Sequence, residues 1–376
     1  MDISASRFSL ASMISKWRSA LDGDSEVSDD EEEPVTQDLE PSWGEWGPDR
    51  LLDGFETCVY SMPGRPHLPE EGEGHLIATL IRHHPARSKR AVLYIHGWND
   101  YFFQVHLAEA FEQMGYDFYA IDLHRYGRSF QEGELFGYME DMDDYYEELD
   151  ACVEMIKADH SQVVLNGHST GGLLAALYGS DRPRTFVGVI LNSPWLDMQG
   201  SFVFRALTPP LARGLSMASA TMVLPPSEND LYGRSLHKIY QGEWDFDLGL
   251  KRIDSHPLRP GWMRAVVNGH DRVCAGLHID CPVLMVISTR STDPKEWNED
   301  CMSTDLALDV DRLAARAPLL GWHVTLVRLQ GALHDVALSR ENVRNRFFDE
   351  IRRWDLAYVR GRAAQDKAVQ EMDRDV

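Results

Sequence analysis

The sequence contains no run of about 18 apolar residues, the length that a membrane-spanning helix needs. Basic residues are also scarce, since 37 Lys and Arg stand against 60 Asp and Glu in 376 residues, a formal net charge of -23. This balance excludes the basic face with which nucleic-acid-binding proteins displace counterions. The five cysteines are scattered and form no C-x-x-C pair. We therefore expect neither a disulfide framework nor a zinc site, and we predict a cytoplasmic protein.

The N-terminal segment, residues 1–42, differs in character from the rest of the chain. It lacks the unbroken apolar stretch of a secretory signal, yet some of its apolar residues recur at helical spacing: Leu10, Met13, Ile14, Trp17 and Leu21. We predict an amphipathic helix that docks on the globule or, through residues 8–21, contacts a lipid surface or a partner. Residues 22–40 contain ten acids and no Lys or Arg, which is typical of a flexible, solvated linker.

From residue 55 onward, short apolar runs rich in β-branched residues alternate with helical patterns. The predicted strands are 55–60, 76–81, 91–95, 118–121, 163–165, 186–191, 283–287 and 324–327. The clearest helical patterns lie at 106–114, 142–156, 171–178, 312–317 and 343–359. This alternation predicts an α/β fold with a mostly parallel, eight-stranded sheet flanked by helices, and with its reactive loops at the carboxyl ends of the strands.

The alternation of strands and helices stops between Pro194 and about Leu277. This stretch is rich in Phe, Leu, Met, Pro and Trp, and structureless loops of such length are rare inside an α/β core. We therefore predict a helical cap at 195–277, inserted between two parts of the core at 43–194 and 278–362. Residues 363–376 are polar and are predicted to form a C-terminal tail.

A glycine-rich turn joins the predicted strand at 163–165 to an Ala- and Leu-rich helix. Residues 167–172 read GHSTGG, which contains the G-x-S-x-G pattern of a nucleophile elbow. The turn needs glycines because its backbone is strained and neighbouring chain passes close to it. It would expose the Ser169 hydroxyl and place the Thr170 N–H at a helix start, where negative charge is favoured.

His334 is the candidate base for this serine. A serine hydroxyl is a poor nucleophile until a base takes its proton, and imidazole is the side chain that titrates near neutral pH. Among 15 histidines, His334 is preferred because it follows the last predicted strand in a glycine-containing loop, LQGALHD. A carboxylate must in turn hold the imidazole in one tautomer.

Two further motifs accompany the elbow: YIHGW at 94–98 and DLHRYGRS at 122–129, each at the end of a predicted strand. Together they resemble the α/β-hydrolases of the monoacylglycerol-lipase, lysophospholipase and serine-aminopeptidase branch, over roughly residues 55–360. The resemblance implies catalytic residues in the order Ser, Asp, His and an oxyanion hole formed by the N–H groups of Trp98 and Thr170. It gives the second motif a structural role and requires neither a metal nor an organic cofactor.

The acid is the point at which the sequence departs from this branch. The family normally has an Asp a few residues after the strand at 283–287, but STRS at 288–291 contains no carboxylate. After a polar insertion at 292–304, Asp305 begins a D-x-x-L-x-V run that resembles the segment after the family's acid. Asp305 is therefore preferred, and the alternatives are Asp293, Asp300 and Asp197.

These features predict a serine hydrolase that cleaves carboxylic esters with an apolar acyl or alcohol group, because the cap is rich in apolar side chains. A second hypothesis is a peptidase or amidase of the same fold, in which Glu243, Asp245 and Asp247 would hold a substrate amine. A third is a catalytically inactive hydrolase fold that serves as an interaction protein, although such proteins usually lose the Ser or the His.

Overall fold

The computed structural model describes residues 40–199, 202–225 and 230–361. The predicted amphipathic helix at 8–21, nearly all of the acidic linker and the predicted tail at 363–376 lie outside these ranges. Within them, no helix is both long enough and apolar enough to cross a bilayer.

One mixed sheet organises the described part of the chain, in the strand order β1-β3-β4-β6-β5-β7-β8-β9-β10, with β2 also paired to β3. Its strands are β1 (Ser42–Trp43), β2 (Gly47–Pro48), β3 (Glu56–Pro66), β4 (His75–Arg82), β5 (Arg90–Ile95), β6 (Asp117–Asp122), β7 (Gln162–His168), β8 (Gly188–Asn192), β9 (Val283–Ser288) and β10 (Val324–Leu329). From β6 to β10 all neighbours are parallel, whereas β1, β2, β3 and β4 join in antiparallel fashion.

The predicted α/β fold is confirmed, but the predicted number of eight strands is wrong, because the sheet has ten. All eight predicted runs are strands. The two additional ones, β1 and β2, contain two residues each and pair with the edge-side strand β3. A two-residue strand is too short to show any hydrophobic periodicity, so this edge could not be recognised from the sequence.

Eight α-helices lie in the described residues: α1 (Val105–Gln113), α2 (Tyr146–Asp159), α3 (Ser169–Asp181), α4 (Phe202–Ala218), α5 (Leu231–Leu236), α6 (Pro260–Ala275), α7 (Val310–Arg316) and α8 (Glu341–Trp354). Helices α2, α3, α6 and α7 contribute to a core cluster on one face of the sheet, and α1 and α8 to the cluster on the other. Strand side chains alternate between the clusters, as Leu93 and Tyr94 illustrate. The result is a three-layer sandwich.

The predicted insertion at 195–277 contains α4, α5 and α6. Helix α6 packs directly on the core helix α3. The two helices are so close that a Cβ added at Gly269 in α6 would lie 3.1 Å from the Leu173 side chain in α3. The segment between α5 and α6 instead covers the loops that follow the strands. There the Trp244 indole N–H donates to the Leu338 carbonyl at 2.7 Å. Residues of the predicted cap therefore contact the loop that follows β10, at the carboxyl end of that strand.

Candidate active site

Ser169 stands at the turn between β7 and α3, with a backbone φ of 53° in the left-handed region. A non-glycine residue in that region is strained, and the strain persists only where the surroundings enforce it. Here the surroundings are close backbone contacts. A Cβ on Gly171 would overlap the His96 carbonyl oxygen, and one on Gly97 would lie 3.0 Å from Ser169 Cβ. Glycine at both positions lets the loop after β5 rest against the elbow.

His334 follows β10 and faces this serine, with its Nε2 2.9 Å from Ser169 Oγ. Its loop is fastened to the end of β8, because Asp335 Oδ1 accepts from Asn192 Nδ2 at 2.7 Å and from the Ala337 N–H at 3.0 Å. The loop that carries the imidazole is therefore held in place by a buried polar network at the end of β8.

Asp305 lies on the other side of the imidazole, with Oδ2 3.0 Å from His334 Nδ1. Its second oxygen, Oδ1, accepts the N–H groups of Ala307 and Leu308, each at 2.8 Å, and the residue is fully buried. An ionised carboxylate can only accept, so Nδ1 carries the proton and Nε2 is free to accept the Ser169 hydroxyl proton. This is the tautomer that a base toward Ser169 requires.

The polar insertion at 292–304 closes on itself and returns the chain to the end of β9. The Asp305 N–H donates to the Arg290 carbonyl at 3.1 Å, and the Thr292 N–H donates to the Asp305 carbonyl at 3.1 Å. A parallel bridge also joins Ser291 to Asp305. Asp305 therefore stands beside the end of β9 although 13 residues have been inserted before it.

The alternative acids lie elsewhere. Asp300 forms a surface ion pair with Arg290, and Asp197 accepts from Arg316 at 3.0 Å and from Arg312 at 3.4 Å. Asp293 is exposed. Of the four candidate acids, all of which are described, Asp305 is the one hydrogen-bonded to His334.

The predicted oxyanion residues flank the serine. Thr170 is the next residue along α3, and Trp98 follows Gly97 in the loop that rests against the elbow. The Trp98 side chain is fixed by packing on Trp262, with ring centroids 4.3 Å apart, and by a 3.0 Å hydrogen bond from its indole N–H to Ser255 Oγ.

A cavity of about 210 Å³ opens over Ser169 and His334. Half of its sixteen lining residues are apolar or aromatic: Trp98, Trp195, Tyr232, Leu236, Phe246, Ile253, Ala307 and Leu308. Apart from Ser169 and His334, the polar and charged lining residues are Asn99, Gln199, Lys251, Arg252 and Ser255. The arrangement offers an activated hydroxyl beneath a small binding space that is partly apolar.

Three residues at the site gave no signal in the sequence. The Tyr232 hydroxyl accepts from the Asp335 N–H at 3.2 Å, and its ring meets the His334 ring edge-on. Beneath His334 lies the fully buried His168, and burial lowers its pKa to about 3, so that it stays neutral. Lys251, from the cap, forms an ion pair with Asp100. These partners are far apart in sequence, so only the fold brings them together.

Two side-chain groups among the described residues have a composition that could hold a metal ion: His83, His84 and Glu112, and Asp100, His168 and Asp335. Neither group includes Ser169, His334 or Asp305. In the second group, the Lys251 ammonium already lies 3.0 Å from Asp100 Oδ1 and supplies a positive charge.

The second motif, at 122–129, joins the loops around the site through Asp122 and Arg128. Asp122 accepts the N–H groups of Phe102 and Arg128 at 2.8 Å each, and the Arg128 guanidinium pairs with both Asp122 and Asp49. These buried bonds hold the segment after β6 against the loop after β5.

Comparison with known proteins places this geometry in a family. The family model for serine aminopeptidase, S33, matches residues 86–291. No match was found among proteins with curated functions.

Among solved structures, the chain is similar to the monoacylglycerol lipase of Paleococcus ferrophilus, at 19% identity and a TM-score of 0.53 over 70% of this chain and 92% of that one. It is also similar to a soluble variant of the monoglyceride lipase of Saccharomyces cerevisiae, at 16% identity and 0.52 over 85% and 96%. A third similar structure is the peroxisomal α/β hydrolase Lpx1 of the same yeast, at 17% identity and 0.52 over 86% and 98%.

Proposed function

Because this chain belongs to the serine aminopeptidase S33 family of α/β hydrolases, we propose that it cleaves carboxylic esters through an acyl-enzyme on Ser169. The observation that carries the proposal is the unbroken hydrogen-bonded series from Ser169 Oγ to His334 Nε2 and from His334 Nδ1 to Asp305 Oδ2. It opens into a cavity that has aromatic and aliphatic side chains in its wall. Such a series converts a hydroxyl into a nucleophile at neutral pH.

In the acylation step, Ser169 Oγ attacks the ester carbonyl carbon while His334 Nε2 takes the hydroxyl proton. The carbonyl oxygen becomes an oxyanion, which would accept from the N–H groups of Trp98 and Thr170. Asp305 stabilises the imidazolium and keeps Nδ1 protonated. As the bond to the leaving oxygen breaks, His334 gives its proton to the departing alcohol, and an acyl group remains on Ser169.

Deacylation reverses these roles with water as the nucleophile. His334 takes a proton from the water, whose oxygen attacks the acyl carbon, and a second oxyanion forms in the same place. The bond to Ser169 Oγ then breaks, His334 returns the proton to the serine, and the carboxylic acid leaves. None of these steps needs a redox or electrophilic group beyond the named residues.

An ester with a small apolar group is the favoured substrate, because half of the residues in the cavity wall are aromatic or aliphatic. The acids proposed for an amine-binding peptidase face other partners. Glu243 pairs with Arg344 and Asp245 with Lys238 on the surface, while Asp247 Oδ1 accepts the Gly249 N–H. None of these three described residues lines the cavity. The contact between Ser169 and His334 also favours an active enzyme over an interaction protein.

The experiment that tests the proposal compares esters with amides. Turnover is measured on p-nitrophenyl esters from acetate to palmitate and on aminoacyl anilides. We expect hydrolysis of the esters, highest for chains short enough to fit the cavity, and at most slow cleavage of the anilides. Efficient anilide cleavage with poor ester turnover would replace this proposal by the peptidase.

A further inference from the structure

The loop that supplies the proposed oxyanion donor is bound to the cap through three consecutive residues. The Trp98 indole N–H donates to Ser255 Oγ at 3.0 Å. Asn99 contacts the Arg252 backbone, and Asp100 pairs with Lys251. The two segments are about 150 positions apart in the chain, yet each of residues 98–100 is hydrogen-bonded to a residue of 251–255.

Asn99 makes the most specific of these contacts. Its Nδ2 donates to the Arg252 carbonyl at 2.8 Å, and its Oδ1 accepts the Arg252 N–H at 3.1 Å. One side-chain amide thus satisfies both backbone groups of one residue, as a neighbouring strand would. Such a pair fixes the position of Asn99 relative to the cap in two directions at once.

The backbone of Asn99 is also held in an uncommon conformation. Its φ is 53°, in the left-handed region that asparagine tolerates better than other non-glycine residues. Trp98 immediately precedes this turn, so the turn and the side-chain contacts of Asn99 fix where the chain leaves Trp98. On the other side, the Asp100–Lys251 pair is buried, with side chains 1% and 7% exposed, and anchors the turn.

Small movements of this loop matter because it touches the nucleophile. Gly97, next to Trp98, is so close that a Cβ on it would lie 3.0 Å from Ser169 Cβ. Oxyanion donors act only when they point at the place where charge develops. A misplacement of about 1 Å can cost up to about a hundredfold in rate.

We propose that Asn99 is a positioning residue that sets the Trp98 N–H by clamping the oxyanion loop to the Arg252 backbone, so that the cap completes the oxyanion hole. The inference rests on the proposed function, since it needs an oxyanion at Ser169. It assigns the cap a part in the chemical step in addition to its part in enclosing the substrate. Asn99 and Arg252 line the cavity over Ser169, but the two side-chain hydrogen bonds of Asn99 both go to the Arg252 backbone.

Three substitutions distinguish the effect of the two Asn99–Arg252 hydrogen bonds, the clamp, from the effect of the positive φ at residue 99. Asn99→Ala removes both hydrogen bonds, Asn99→Gly removes them but accepts the positive φ without strain, and Asn99→Asp keeps the acceptor for the Arg252 N–H alone. Asn268→Ala is the matched control, because that half-buried asparagine bonds only to the exposed Arg213 side chain among the described residues.

The measurements are kcat and KM on p-nitrophenyl butyrate and Ki for phenylboronic acid. The boron bonds to Ser169 Oγ while the serine proton passes to His334, and one hydroxyl of the resulting anionic tetrahedral boronate would occupy the oxyanion position. We expect Asn99→Ala and Asn99→Gly to lower kcat by about 10- to 100-fold and to raise Ki in parallel. KM and the pH profile of these variants should stay close to those of the wild type. The kcat and Ki of Asn99→Asp should lie between those of the wild type and those of Asn99→Ala.

Wild-type kcat in Asn99→Gly would overturn the clamp, since φ alone would then explain the asparagine. A rise in KM at unchanged kcat would overturn it as well, because the contact would then only shape the substrate space. Ser169→Ala keeps the two proposals apart. If Ser169→Ala is inactive while Asn99→Ala is fully active, the proposed role of Asn99 is wrong and the proposed hydrolase mechanism stands. If Ser169→Ala retains ester turnover, the hydrolase mechanism itself is wrong.

Discussion

Asp305 and His334 are 29 residues apart in sequence and are joined by a 3.0 Å hydrogen bond between buried side chains. The 13-residue insertion before Asp305 does not displace it, because the insertion begins and ends beside β9. Backbone pairing with residues 290–292 therefore fixes the position of Asp305. Two N–H groups, those of Ala307 and Leu308, donate to the carboxylate oxygen that does not contact His334.

Replacing Asp305 by Asn should lower kcat by up to about 10⁴ with the fold retained. The amide can still approach Nδ1, but it stabilises the wrong imidazole tautomer and no longer balances the imidazolium charge. The check is kcat on p-nitrophenyl butyrate together with circular dichroism. Asp300→Asn is the matched control, because its carboxylate pairs with Arg290 on the surface. An active Asp305→Asn beside a crippled Asp300→Asn or Asp197→Asn would reassign the acid.

Gly171→Ala should disable the site, because the new Cβ would overlap the His96 carbonyl at the base of the oxyanion loop. Backbone cannot yield as a flexible side chain can, so the loop must shift away from Ser169. We expect a large loss of kcat and a lower melting temperature. Gly214→Ala is the control, since a Cβ there meets nothing within 4 Å. If the two variants had the same kcat and melting temperature, the close contact between Gly171 and the His96 carbonyl would not be needed for activity.

Buried histidines should make the fold sensitive to acid. Burial lowers the pKa of His168 to about 3 and that of His270 to about 4, from an ordinary 6.5. Between about pH 6.5 and 4 the unfolded chain binds protons that the folded chain does not. The free energy of unfolding should therefore be fully retained above pH 6.5 and fall below it, by about 1.4 kcal/mol per pH unit for each histidine.

Urea unfolding at pH 7, 6 and 5 measures this slope. His270→Gln can keep a donor toward the Trp195 carbonyl, which His270 Nε2 contacts at 2.8 Å, and it removes one titrating group. The variant should lose stability less steeply than the wild type as the pH falls. Identical slopes would mean that His270 is protonated in the folded protein.

Much of the fold was predictable because it is local in sequence. The eight longer strands and the elbow each carry their own signal, a β-branched run or a glycine turn beside Ser169. Asp305 was predicted as the acid because the run that begins with it resembles the segment after the family's acid. Its position beside β9 depends on the backbone bridge to Ser291, which the sequence does not show. The contacts of Asn99 with Arg252 had no such signal, since polar residues in loops show no periodicity and their partners are set by how the cap folds back.

Removal of residues 1–39 should leave a folded, active protein. Residues 22–39 contain nine acids and no Lys or Arg, so they have little apolar surface to bury. The pairing of Ser42 with Ser61 in β3 stays intact in that variant. We expect an unchanged kcat on short esters in solution and a melting temperature within a few degrees of the full chain. An insoluble or inactive product would show that the acidic segment contributes to the globule or to its assembly.

Covalent labelling shows whether Ser169 is a reactive nucleophile. A fluorophosphonate forms a bond from phosphorus to the attacking oxygen and releases fluoride, so intact-mass analysis counts reactive serines and peptide mapping locates them. We expect one phosphonyl group per wild-type chain, on the peptide that contains Ser169, with parallel loss of ester turnover. A folded Ser169→Ala variant should not be labelled. A wild-type protein that hydrolyses esters without labelling at Ser169, or a Ser169→Ala variant that still labels and turns over, would contradict the role of Ser169 as the nucleophile.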